Sequence, residues 1–247
     1  MKREFSRNTF RALSIITGCF LAGSFYSPLV HAELSVGALA GLADYTSQVR
    51  GDTIRGYGGP GGYYQYPADF NSKDFAGGLF ARYIYPVYPC FGFGVETGYV
   101  YLNQDTTRLR ADDLLPSPVD VENFTTKSQG LILLNFIARW KPAPNISFNF
   151  FGGPAWLNTQ YIDNDFYDHA VSKAPSTYQL TADLGVEGDW DFAPDWSVGA
   201  RYDYILNTDK RTIATTGSFG DRLYFNEVAK SGSTIVSATL RYLIPGT

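Results

Sequence analysis

LTADLGVEGDWDFAPDWSVGARYDYIL, Leu180 to Leu206, is the stretch on which the reading of the whole chain turns. Leu180, Ala182, Leu184, Val186, Trp190 and Phe192 are apolar at every second position, with Gly188 the one gap. Thr181, Asp183, Gly185, Glu187, Asp189 and Asp191 fall between them. After a turn at Ala193-Pro194-Asp195 the alternation resumes. Trp196, Val198, Ala200, Tyr202, Tyr204 and Leu206 share one face, and Ser197, Gly199, Arg201, Asp203 and Asn207 the other. Side chains on a strand alternate faces, so this is a hairpin with one greasy and one charged side. A soluble sandwich would bury the greasy side. A membrane barrel would turn it to lipid and fill its lumen with the charged side. Trp190, Phe192 and Trp196 cluster at the turn, where a membrane barrel carries its interfacial aromatics.

The same unit recurs. Phe75, Leu79, Ala81, Tyr83 and Tyr85 alternate with Asp74, Ala76, Phe80 and Arg82, and a turn follows at Pro86 to Pro89. Phe91, Phe93, Val95, Thr97, Tyr99 and Tyr101 then alternate with Gly92, Gly94, Glu96 and Gly98. Ile132, Leu134, Phe136, Ala138 and Trp140 alternate with Asn135 and Arg139, although Leu131, Leu133 and Ile137 blur the polar side. A turn at Pro142 to Asn145 leads to Ile146, Phe148, Phe150 and Trp156. Leu34 to Leu42 and Val236 to Ile244 supply a first and a last strand. The expectation is all-β: an eight-stranded antiparallel up-and-down transmembrane barrel. Pro89, Pro144 and Pro194 mark its short turns. Four long connections run at about 46–72, 103–126, 161–177 and 208–230. Proline suits such turns because it presets φ and needs no ladder donor. Closure is required because lipid cannot satisfy an open strand edge.

The first residues read as an address. Lys2, Arg3, Arg7 and Arg11 form a basic region, Ala12 to Phe25 are mostly apolar, and Val30-His31-Ala32 is a small-residue cleavage site. Residues 1–32 are therefore expected to be a signal peptide, with 33–247 as barrel and four long extracellular loops. Ile16-Thr17-Gly18-Cys19 also matches a lipoprotein box, but an apolar stretch follows it where a polar tether is usual. Without residues 1–32, four of the 20 basic and one of the 24 acidic residues go. That leaves 16 against 23, a net of −7. Such a charge argues against nucleic acid as a partner. No other apolar run approaches the roughly 20 residues of a helical span. Cys90 is then the only cysteine, so no internal disulfide is expected.

The architecture resembles the small eight-stranded outer-membrane barrels: the OmpA membrane domain, the neisserial opacity proteins and the OmpX/Ail group. The resemblance spans roughly 33–244 and rests on pattern rather than a motif. It implies a bacterial outer-membrane location, contact with lipid and lipopolysaccharide, and recognition by the barrel assembly machinery through a terminal aromatic strand. Tyr242 and Ile244 look like that signal, but Pro245-Gly246-Thr247 follow. No periplasmic domain is expected after the barrel, and the expectation is a monomer with no cofactor and no metal.

The inward face offers Arg82, Glu96, Arg139, Asp183, Glu187, Arg201, Asp203 and Arg241 as a lumen ion-pair network. An eight-stranded barrel is just wide enough for side chains to fill it, so these are expected to plug the lumen. A narrow pore or transporter for small or apolar solutes is the alternative. A rim-site hydrolase is a further one. Asp112-Asp113 and Asp168-His169 resemble an omptin protease set, but those barrels have ten strands. His169 with Ser172 resembles the lipid A deacylases, whose pair is two apart rather than three. No catalytic residue is expected. Gly51 to Asn71, with Tyr57, Tyr63, Tyr64, Tyr66 and Phe70, reads as an irregular, contact-prone loop for a host or matrix ligand. The expected function is surface interaction, in adhesion or envelope protection.

Overall fold

Three two-residue turns organise the chain, at Pro89-Cys90, Pro144-Asn145 and Pro194-Asp195. Each opens on the proline that the hairpin pattern anticipates. A computed structural model describes residues 32–54, 63–111, 120–165, 170–173, 176–208, 211–215 and 225–245. The expected signal peptide lies outside these apart from Ala32. Ten strands are present among the described residues: β1 (Glu33–Ile54), β2 (Tyr63–Tyr88), β3 (Phe91–Ala111), β4 (Asp120–Ala143), β5 (Ile146–Asp165), β6 (Ala170–Lys173), β7 (Thr177–Ala193), β8 (Trp196–Ile205), β9 (Arg211–Thr215) and β10 (Phe225–Leu243).

Eight of them close a barrel in the order β1-β2-β3-β4-β5-β7-β8-β10, every pair antiparallel. β10 returns to β1 from Ser35↔Leu243 to Thr53↔Phe225. The two short strands are additions to the wall: β6 pairs β5, and β9 pairs β10.

Burial is inverted relative to a soluble protein. Leu79 is 70% exposed and Phe136 69%, whereas Arg82 is 0% exposed and Arg201 2%. A continuous outward face of this kind is stable only against lipid, which a closed barrel permits because no backbone group is left open. Aromatics line the short-turn end of the belt. Trp196 meets Tyr242 at 4.9 Å between ring centroids, and Trp140 stacks on Phe148 at 5.7 Å. At the other end the belt gives way to polar pairs, with Asp44 to Lys73 at 3.6 Å and Lys127 to Asp105. Gly188, the gap in the apolar alternation, lies in a shallow outer groove between Phe148, Trp190, Val198 and Ala200.

Two expectations need correction and one is sharpened. The first connection is shorter than 46–72, because β1 continues to Ile54 and β2 begins at Tyr63. Gly51 pairs Tyr66, Thr53 pairs Tyr64 and Ile54 pairs Tyr63. Glycine weakens a strand, but the threonine, isoleucine and tyrosines around it favour a pleated surface, and the ladder extends through them. Likewise β3 runs on to Ala111, β4 starts at Asp120, and β6 and β9 occupy parts of the other two connections. Second, Leu131, Leu133 and Ile137 do share the inward face of β4 with Asn135 and Arg139. They are buried inside the barrel at 0%, 1% and 2% exposure. Third, Asn207 is not on the lumen face: β8 ends at Ile205, Asn207 is exposed beyond it, and Ile205 itself is the inward residue.

The lumen is therefore layered, most plainly along β3 and β5. Along β3 the inward residues run Glu96, Val100, Leu102, Gln104; along β5 they run Asn149, Phe151, Leu157, Thr159. Charge comes first, then an apolar cluster that includes Leu39, Leu102, Leu133, Leu157, Ile205 and Ile235. A hydroxyl layer follows, in which the Tyr45 hydroxyl donates to Ser231 Oγ at 2.8 Å and Tyr161 lies 2.9 Å from the same oxygen.

Candidate functional site

The charged layer is built by register. Arg82 on β2 lies opposite Glu96 on β3, and Glu187 on β7 lies opposite Arg201 on β8. Across the lumen these four meet. Arg82 Nη2 donates to Glu96 Oε2 and to Glu187 Oε2, both at 2.6 Å, and Arg201 Nη1 donates to Glu96 Oε1 at 2.8 Å. Arg201 also holds Asp203 through Nε at 2.9 Å and Nη2 at 2.7 Å. The Thr239 hydroxyl donates to Glu187 Oε1 at 2.9 Å.

Two phenylalanines carry the arginines. Arg201 Cζ stands 4.1 Å from the centre of the Phe151 ring, and Arg82 Cζ stands 5.0 Å from that of Phe80. A guanidinium over a ring face is favourable, more so when both are dry. Room for the rings comes from glycines on neighbouring strands: a Cβ on Gly37 would collide with Phe80, and one on Gly185 with Phe151.

Nearer the short turns Asp189 is the hub. Asn149 Nδ2 donates to its Oδ2 at 2.8 Å, Arg241 Nη2 lies 3.3 Å away and Arg82 Nη1 3.8 Å. Arg139 Nε donates to Asn149 Oδ1 at 3.2 Å, and Arg139 Nη1 pairs with Glu33. Arg241 also donates to Ser197 Oγ at 3.0 Å.

All eight inward residues read from the alternation are buried, and they fall into this one connected group. Sequence reasoning missed Asp189, Asn135, Asn149 and Glu33 as members. Asp189 had a signal, since it sits on the polar face of the opening hairpin between Glu187 and Asp191. The neutral asparagines had only their parity. Of the loop residues, Tyr63, Tyr64, Tyr66 and Phe70 lie on β2, opposite Ile54, Thr53, Gly51 and Ser47. Tyr57 lies outside the described residues, as do Asp112, Asp113, Asp168 and His169. Cys90 is buried at the first short turn.

A closed eight-stranded wall, an apolar outer belt with aromatic ends and a charged, filled interior define the class: the chain is a small outer-membrane β-barrel. No protein-family model matches the chain, and no curated protein sequence matches it. Among solved structures it is similar to the outer membrane protease OmpT from Escherichia coli, with TM-score 0.52 and 9% identity over 86% of this chain and 97% of that one. The outer membrane protein OprG from Pseudomonas aeruginosa gives TM-score 0.46 and 10% identity over 87% and 99% of the two chains. For Ail, the attachment invasion locus protein of Yersinia pestis, the values are 0.30 and 13% over 82% and 97%. At such identities the likeness to OmpT is one of fold.

Proposed function

We propose that this barrel is a surface-display protein, acting in adhesion or envelope protection through the hairpins beyond its lipid belt. The observation that carries the reading is the mismatch between belt and wall. On β1 and β2 the apolar belt ends at Leu42 and Phe75, yet the ladder continues to Ile54↔Tyr63. That is roughly 40 Å more along the strand at about 3.3 Å per residue. Crossing a membrane does not need this length. A paired β-wall holds side chains at fixed spacing, which lowers the ordering cost of binding compared with a loose loop. Below it the filled lumen leaves little for transport to use. On this reading the chain is a monomer without catalytic chemistry. Its long-hairpin end faces outward among lipopolysaccharide and meets a host or matrix ligand, and many copies per cell supply avidity.

The test removes the wall and keeps the belt. Thr46 and Asn71 are cross-strand partners, so residues 47–70 can be replaced by an Asn-Gly turn. The shortened barrel should fold and insert, and should lose most of the adhesion that the parent confers on a non-adherent bacterium. Equal adhesion by the two, or ion conductance by the parent in planar bilayers with no adhesion, would replace this reading with that of a pore.

A further inference from the structure

Among the described residues the lumen buries four arginines, Arg82, Arg139, Arg201 and Arg241, against five carboxylates, Glu96, Asp183, Glu187, Asp189 and Asp203. Four of those carboxylates have a guanidinium nitrogen close by: Glu96 and Glu187 at 2.6 Å, Asp203 at 2.7 Å and Asp189 at 3.3 Å. Asp183 does not. Its nearest is Arg201 Nη2 at 3.9 Å, and that nitrogen already holds Asp203. Asp183 is 0% exposed. With Glu33 on Arg139 the group has more carboxylates than guanidinia, and Asp183 is the fully buried carboxylate among them without a close guanidinium.

What Asp183 touches instead is Asn135, whose Nδ2 donates to its Oδ2 at 2.7 Å. The two are not on neighbouring strands, because β5 runs between β4 and β7. Gly153 on β5 lies opposite Asp183 in register, and a Cβ there would collide with the Leu134 carbonyl and crowd Asn135 Cα. The missing side chain is what lets Asn135 reach across. Because Nδ2 is committed to the carboxylate, Asn135 Oδ1 lies beside it on the same planar amide. Both Asn135 Oδ1 and Asp183 Oδ1 are buried without a hydrogen-bond partner. Both are acceptors.

The neighbourhood of Asp189 is different. There the unpartnered atoms are of both kinds, Asp189 Oδ1 together with Arg82 Nη1, Arg139 Nη2 and Arg241 Nε, so donors and acceptors can satisfy one another through solvent. At Asp183 the two unpartnered atoms are both oxygens, on residues joined by one hydrogen bond, and a buried, poorly compensated charge is strongly unfavourable.

We propose that this corner binds one monovalent alkali cation, of sodium size, between Asp183 and Asn135. One buried carboxylate without a close guanidinium calls for one positive charge. A divalent ion would want several carboxylates, and no group of three or more His, Cys, Asp or Glu is placed to hold a metal among the described residues. The site is independent of what the outer hairpins bind.

The experiment is urea unfolding of the purified, refolded barrel at pH 8, in sodium chloride and in tetramethylammonium chloride of equal ionic strength. The bulky cation cannot enter the corner. The expected result is a higher midpoint in sodium, rising with the logarithm of its concentration as ligand linkage requires. Asp183→Asn keeps the shape and removes that carboxylate's charge. It should unfold at the same midpoint in both salts. Glu96→Gln should be less stable but keep the sodium dependence. Broadening of the sodium-23 resonance by the parent and not by Asp183→Asn reads the same site without unfolding. Identical midpoints for the parent in the two salts overturn the proposal, as does a sodium dependence that survives in Asp183→Asn. A parent stabilised by acid but indifferent to sodium would show that a proton holds the corner, which also overturns it.

Discussion

Arg82 and Glu96 face each other across the β2–β3 ladder and join at 2.6 Å with neither side chain exposed. The same Glu96 reaches over the lumen to Arg201, so one carboxylate ties the β2–β3 hairpin to β8. The pair is local in sequence, and the link it completes is not.

From that link follows the first prediction. Glu96→Leu leaves Arg82 and Arg201 short of a shared partner, and Arg201→Leu leaves Asp203 and Glu96 short of theirs. Breaking a buried pair typically costs about 3–5 kcal/mol because the remaining charge stays buried. Both variants should show lowered urea midpoints in micelles. Midpoints equal to the parent's would mean the layer is wet and the charges are screened.

The glycines beside the phenylalanine rings give a second prediction. Gly185→Ala places a methyl against Phe151, which itself supports Arg201. Overpacking a filled interior costs about 1–3 kcal/mol. The double variant Gly185→Ala, Phe151→Leu should recover part of that loss. No recovery would separate the glycine from the ring.

Location yields a third. The barrel should fractionate with the outer membrane and migrate faster on a gel unheated than boiled, as closed barrels do. The variant lacking residues 47–70 should keep that shift, because Thr46↔Asn71 and everything below it remain paired. Recovery of the parent in the soluble periplasmic fraction would remove the membrane reading altogether.

Parity on β4 supplies a fourth. Leu133 is 1% exposed and Leu134 is 44% exposed, one inside and one outside. With Cys90→Ser as background, Leu134→Cys carrying a fluorophore should be quenched by brominated lipid. A label on Leu133→Cys should react slowly or only on unfolding. Equal quenching at both sites would refute the register of β4.

These two leucines also show where sequence reading stops. The alternation at Leu180 to Leu206, repeated along the chain, carries the barrel, its short turns and the eight inward charges, because eight such strands with alternating short and long connections have an inside-out solution. β4 was harder: Leu131 to Leu134 are all apolar, and a period of two needs contrast to be seen. The layer of leucines inside the lumen is legible only once eight strands are in register. The extension of β1 and β2 was hidden for a different reason. Gly51 and the tyrosines after Gly62 carry turn-like composition, and only the cross-strand partner decides that they pair. The contact of Asn135 with Asp183 depends on a missing side chain on a third strand, which no spacing along the chain encodes.

The three proline-led turns and the β1–β10 seam impose an order in time. The hairpins at Pro89, Pro144 and Pro194 can each form from adjacent residues within a short stretch of chain. The seam cannot: Ser35 must find Leu243, about the whole length of the wall away. Loop closure over such a distance carries its entropic cost before any hydrogen bond repays it. Until β10 arrives, the sheet has two bare edges, and bare edges are not tolerated in hydrocarbon. Entry into the bilayer and zipping of the seam must therefore coincide. A chain stalled with β10 unpaired would be a sticky intermediate that has to be escorted.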